Sequence, residues 1–159
     1  MVSADHSVKG NLENMIYEKI RGSYFISTDP SKLQIDAICG FLWRSHWAAK
    51  RPREIILKSI AHSLCYGIYY AGKQVSFARL VTDYSTYGYL CDVYVDEEFR
   101  GQGLSKWLMT CIMEHPELQS LRRLLLATKD AHGLYARFGF EPLSGEECRR
   151  YMCIFKDDT

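Results

Sequence analysis

Residues Val95–Met109 read VDEEFRGQGLSKWLM, and the eight-residue stretch Phe99–Lys106, FRGQGLSK, decides the reading of the whole chain. Before it runs YLCDVYV, an apolar stretch of strand character. After it, Leu104, Trp107, Leu108, Cys111 and Ile112 fall on one helical stripe, so the glycines sit at a strand-to-helix junction. Glycine removes the Cβ atoms that would keep a ligand away from backbone amides. The first N–H groups of a helix lack internal partners and carry the positive end of its dipole. A phosphate or pyrophosphate fits such a place. A tight left-handed turn without a ligand is the other reading of a lone Gly-X-Gly.

Outward from the loop, the element pattern narrows the choice. Tyr24–Ser27 is strand-like and closes on the turn signal Thr28-Asp29-Pro30. Ile35, Ile38, Phe41 and Leu42 recur at helical spacing over residues 33–44, and a second helix follows Pro52 with Leu57, Ile60, Ala61 and Leu64 on one face. CYGIYYAGKQVSFARLVTD reads as a hairpin about Ala71-Gly72-Lys73, with YGYLCDVYV as the next strand. The helix after Gly103 stops near Pro116. LRRLLLAT then suits a strand covered on both faces. Asp130 is placed to cap a short helix carrying Ala131, Leu134, Tyr135 and Phe138, Gly139 ends it, and YMCIFK reads as a last strand. This order gives an α+β domain: a mixed, mostly antiparallel sheet with helices on both faces. Residues 1–22 are expected to form a loosely attached tail, with a helical turn or two around Leu12–Lys19, and 23–159 a single domain.

Composition excludes several function classes. With 159 residues, 47% of them hydrophobic, the chain can bury one sizeable core. A net charge of +1, with both signs spread along the chain, lacks the footprint of a nucleic-acid binder. The six cysteines show neither a CxxC pair nor metal-ligand spacing, so they read as reduced core residues and no metal is expected. No segment has the roughly 20 apolar residues of a membrane span. The expectation is a soluble, cytoplasmic protein.

Two nucleotide-binding motifs fail on detail. Lys106 stands where the third glycine of GxGxxG belongs, and no Gly-Lys-Ser/Thr follows for a P-loop. What remains is a loop offering the amides of Gly101, Gln102, Gly103, Leu104 and Ser105 to a pyrophosphate, with Arg100 beside it. VDEEFRGQGLSKWLM resembles the acyl-CoA-binding motif of the GNAT superfamily of N-acyltransferases, Arg/Gln-x-x-Gly-x-Gly/Ala, through Arg100 and Gly103, with Ser105 where Gly or Ala is usual. ATKDAHGLYARFGFEPL is similar to a second segment of that family through Ala131, Leu134, Tyr135, Gly139 and Phe140, with Thr128 in place of its Asn.

The resemblance implies the GNAT fold, acetyl-CoA as co-substrate and an amine as acceptor. It also implies that the strand before the loop splays from its neighbour, leaving Val93, Tyr94 and Val95 to pair with the pantetheine arm and to stabilise a developing oxyanion. Tyr135 becomes the candidate acid for the leaving thiolate, with packing as its alternative. Transfer to an amine also needs a proton acceptor, because such an amine has a pKa of about 10.4. Asp92, an acid inside an apolar strand, is the candidate base, with a structural hydrogen bond as the other reading. The expected function is N-acetylation of a small-molecule amine by direct transfer. A silent acyl-CoA-binding domain and a protein N-acetyltransferase are the rivals, and a homodimer paired through YMCIFK is open.

Overall fold

In the computed structural model, which describes residues 16–156, strands β1 (Glu18–Arg21), β2 (Tyr24–Ser27), β3 (Leu64–Tyr70), β4 (Lys73–Thr82), β5 (Tyr87–Val95) and β6 (Arg123–Leu126) form one sheet in chain order. Every neighbouring pair is antiparallel except β5 and β6, which run parallel. A crossover is needed only there, and helix α3 (Leu104–Met113) supplies it. The β3–β4 hairpin turns on two residues, Ala71 (φ +47°) and Gly72 (φ +79°). Positive φ at both positions matches the right-handed twist of the flanking strands.

The sheet is covered on two sides. Helices α1 (Ile35–Trp43) and α2 (Arg53–Ala61) bury Ile38, Cys39, Phe41, Leu42 and Ile56 against Cys65, Phe77 and Tyr94. Tyr66, adjacent in β3 to Cys65 and therefore on the opposite face, meets His115 just after α3 with ring centroids 6.0 Å apart. Leu104, Leu108, Met109, Cys111 and Ile112 are the buried stripe of α3. The α+β class, a mixed, mostly antiparallel sheet with helices on both faces, is the one the sequence predicts.

Three expectations need correction. Glu18–Arg21 form a strand paired with β2, so the sheet begins inside the expected tail; Leu12–Met15, part of the expected helical turn, lie outside the described residues. Asp130 does not cap α4 (His132–Ala136); the hydroxyl of Thr128 accepts the Ala131 N–H at 3.0 Å. YMCIFK forms no strand: it pairs with no described strand, and Met152, Ile154 and Phe155 stand almost fully exposed after a short helix, α5 (Gly145–Arg149). Strand propensity yields a strand only where an edge is available to pair with. The chain divides into two compact units, the first ending at Ala127 and the second beginning at Thr128. Cys148 and Cys153 are exposed, whereas Cys39, Cys65 and Cys111 are buried as expected of core thiols.

Candidate functional site

The glycine loop is built as its residue types demand. Gly101 (φ +77°) and Gly103 (φ +74°) both occupy the left-handed region, where a side chain is strained. Arg21 pins the loop from outside, donating to the carbonyls of Gln102 at 2.7 Å and Gly103 at 3.2 Å. Its guanidinium also lies 5.4 Å from the Trp107 ring. In a trans peptide the C=O and the following N–H point to opposite sides, so the amides of Gly103 and Leu104 are turned away from Arg21. The Tyr24 hydroxyl donates to the Gln102 side chain and holds it to β2. No side chain caps the α3 N terminus, and its first internal bond runs from the Trp107 N–H to the Gly103 carbonyl. Leu104 is buried and Ser105 half-buried at this end.

Arg100 spends much of its guanidinium on structure. Nε donates to the Val95 carbonyl at 3.1 Å, the group lies 5.4 Å from the Tyr94 ring, and Glu97 is 3.7 Å away. Tyr94 stacks on Phe41 at 5.3 Å, and its hydroxyl donates to Glu97, whose pKa is lowered by that bond and by Arg44. Glu97 therefore ties β5 to the C-terminal end of α1.

The loop is preceded by a break in β5. Cys91 lies opposite Arg79 and Tyr94 opposite Phe77, so two residues of β5, Asp92 and Val93, stand against one of β4, Ala78. This is a β-bulge, and its extra residue is Asp92 with φ +56°. Aspartate is one of the few non-glycine residues that visit this region. The insertion resets the alternation, bringing Cys91 and Tyr94, three residues apart, to the α1 and α2 face. On the other side of the strand, pairing with β6 ends at Leu90 opposite Leu126. Beyond that point Cys91–Val95 have no β6 partner among the described residues.

Asp92 itself is held tightly. Its side chain is 2% exposed and lies between Arg51, 25% exposed, and Arg79, 13% exposed. Arg51 Nη1 donates to both carboxylate oxygens at 3.0 and 2.9 Å, and Arg79 Nε donates to Oδ2 at 2.9 Å. Arg79 also donates to the Ser63 hydroxyl at 3.1 Å. Sequence reading missed Arg21, Arg51 and Arg79. For Arg79 the signal was present: an arginine inside FARLV, one strand from the aspartate inside YLCDV.

Thr128 and Tyr135 belong to the second unit. The Tyr135 ring is buried and meets Phe140 edge-on at 5.9 Å. Its hydroxyl has no hydrogen-bond partner among the described residues. Burial, reinforced by Asp130, raises its pKa, which keeps the phenol protonated at neutral pH. His132 is exposed. Trp47 lies in the segment between α1 and α2 with its ring 6.5 Å from Tyr94, and Tyr87 is exposed at the start of β5.

A parallel β5–β6 pair that ends at Leu90 and an uncapped helix behind a glycine turn fit the acyltransferase class that the sequence resembles. The Acetyltransferase (GNAT) family pattern matches residues 32–140, and the chain belongs to that family. A GNAT-family protein of Xanthomonas campestris, provisionally described as an acetyltransferase, is 46% identical; the match covers 84% of this chain and 93% of that one, with a TM-score of 0.79. A provisionally named acetyltransferase of Gibberella zeae, FG08082, is 33% identical over 74% of this chain and 78% of its own. A GNAT acetyltransferase of Elizabethkingia anophelis, solved with acetyl-CoA bound, shares the fold at 17% identity and a TM-score of 0.59, covering 76% of this chain and 78% of that one.

Proposed function

We propose that the protein is an acetyl-CoA-dependent N-acetyltransferase that moves the acetyl group directly onto the primary amine of a small molecule. The observation that carries this reading is the β5 edge without a described β6 partner beyond Leu90, which carries the Asp92 bulge and lies directly ahead of an uncapped α3 behind two left-handed glycines. The amides of Gly101 to Ser105 receive the pyrophosphate, where helix-end N–H groups favour anionic oxygen. A ligand there meets open space: a Cβ built on Gly101 has no neighbour within 4 Å, and one on Gly103 meets only the Arg21 guanidinium, at 3.7 Å or more. The freed edge of Val93, Tyr94 and Val95 pairs with the amide-bearing pantetheine arm as an added strand would. A backbone N–H of that edge stabilises the oxyanion as the amine nitrogen attacks the thioester carbonyl.

As the C–S bond breaks, the thiolate takes the proton of the Tyr135 hydroxyl, and Thr128 holds the segment that presents Tyr135. With three guanidinium hydrogen bonds on its two oxygens, Asp92 is poorly placed to accept a proton, so we assign it to positioning Arg51 and Arg79. The acceptor ammonium loses one proton to water before attack, the nitrogen loses a second as the amide forms, and water returns a proton to the Tyr135 phenolate. The test is an acceptor screen scored by free thiol release from acetyl-CoA, with the acetylated amine identified by mass. Amine-dependent thiol release is the expected result. Acetyl-CoA binding without turnover on any amine would instead make this a silent acyl-CoA-binding domain.

A further inference from the structure

Around Asp92 the charges do not balance. Two guanidiniums converge on one carboxylate, which leaves one positive charge in excess in a largely buried place. The neighbouring thiols do not offset it, because burial pushes Cys65 up to about 12 and Cys91 up to about 11, and both are neutral at pH 7. The nearby acids of the following turn are committed elsewhere, since Asp96 and Glu97 both pair with Arg44. Arg51 uses only Nη1 on Asp92, and its Nε and Nη2 have no partner among the described residues. A buried charge without a counterion is costly, and a guanidinium edge matches carboxylate or phosphate oxygens in pairs.

Position gives this surplus a use. The cluster sits on the α1 and α2 face of the sheet, at the bulge two residues past the last β5–β6 pair and immediately before Val93. Resting on the acetyltransferase reading above, we infer that the acceptor amine carries an anionic group, a carboxylate or a phosphate ester, and that Arg51 with Arg79 binds it. Asp92 then does two things: it holds both guanidiniums in place, and by neutralising only one of them it leaves the other charge for the substrate. Arg51, the more exposed of the two, makes the direct contact.

The experiment uses acceptors in matched pairs: glycine and glycinamide, β-alanine and β-alaninamide, lysine and lysinamide, and phosphoethanolamine with ethanolamine. Thiol release from acetyl-CoA is followed for the parent, Arg51→Gln and Arg51→Lys. The expected result is a higher kcat/KM for the anionic member of at least one pair. Arg51→Gln should raise KM for that member by about 10- to 100-fold, the size of a lost charge-assisted contact, with kcat and the KM for acetyl-CoA little changed. Arg51→Lys should recover part of the loss. The glutamine variant keeps a neutral Arg79–Asp92 pair, so it should fold, and its melting temperature verifies that. The amino-acid pairs and the phosphoethanolamine pair separate carboxylate from phosphate recognition. Equal or better turnover of the uncharged members overturns the inference and leaves the acetyltransferase reading standing, as does an Arg51→Gln loss shared alike by both members of each pair. Failure of every amine to release thiol overturns both.

Discussion

Replacing Asp92 with asparagine isolates the charge at the centre of the site. Asparagine keeps the shape and tolerates the φ of +56° that Asp92 adopts, so the backbone bulge should survive. What is lost is the counterion of two guanidiniums, one 25% and the other 13% exposed, held by three hydrogen bonds of 2.9 to 3.0 Å. Removing one partner of a buried ion pair costs about 3–5 kcal/mol. Arg51 can turn partly to water, so the lower end, about 3 kcal/mol, is expected. For a chain of this size that corresponds to a fall of about 6–12 °C in melting temperature. Urea unfolding of the parent and the variant, followed by circular dichroism, measures it. A loss below about 1 kcal/mol would refute the reasoning, because it would mean that the carboxylate is not the element holding Arg51 and Arg79. Kinetics then separate its roles: positioning predicts a raised acceptor KM with the pH profile unchanged, whereas service as a base predicts an altered pH profile of kcat/KM.

Tyr135→Phe removes one hydroxyl and keeps the buried ring, so acetyl-CoA affinity should hold while kcat falls roughly 10- to 1,000-fold; an undiminished kcat with a confirmed acceptor would leave Tyr135 as packing. His115 is buried, its pKa is lowered by desolvation, and its Nδ1 accepts the Glu117 N–H at 3.2 Å. The unfolded chain therefore binds a proton that the folded chain resists. Stability should be full above the ordinary histidine pKa of about 6.5 and should fall as the pH drops from there towards the lowered folded value. Urea midpoints across that window should fall less in His115→Asn, and an identical slope in both proteins would locate the effect elsewhere.

Much of this was legible because local chemistry and global fold agree. Gly72 in a two-residue turn, Pro52 ahead of α2 and the glycines before α3 each require the backbone they receive. The apolar run LRRLLLAT becomes the parallel strand β6 because it follows the crossover helix α3. The bulge was not legible, since a one-residue shift of register leaves no mark on residue type; its only trace is an aspartate where alternation calls for an apolar residue. Arg51 looked like one more cation in KRPR, and only the fold carries it to Asp92. YMCIFK shows the reverse case, in which pattern and propensity call for a strand that no described edge receives.

The central claim is that acetyl-CoA binds at the glycine loop, and calorimetric titration of acetyl-CoA into the parent and Gly103→Glu tests it most directly. The substitution places a carboxylate and a strained left-handed side chain where the α3 amides would meet the pyrophosphate. The account predicts saturable binding to the parent and its loss in a variant whose circular dichroism is unchanged. Equal affinity for both proteins, or no binding to the parent, would contradict it.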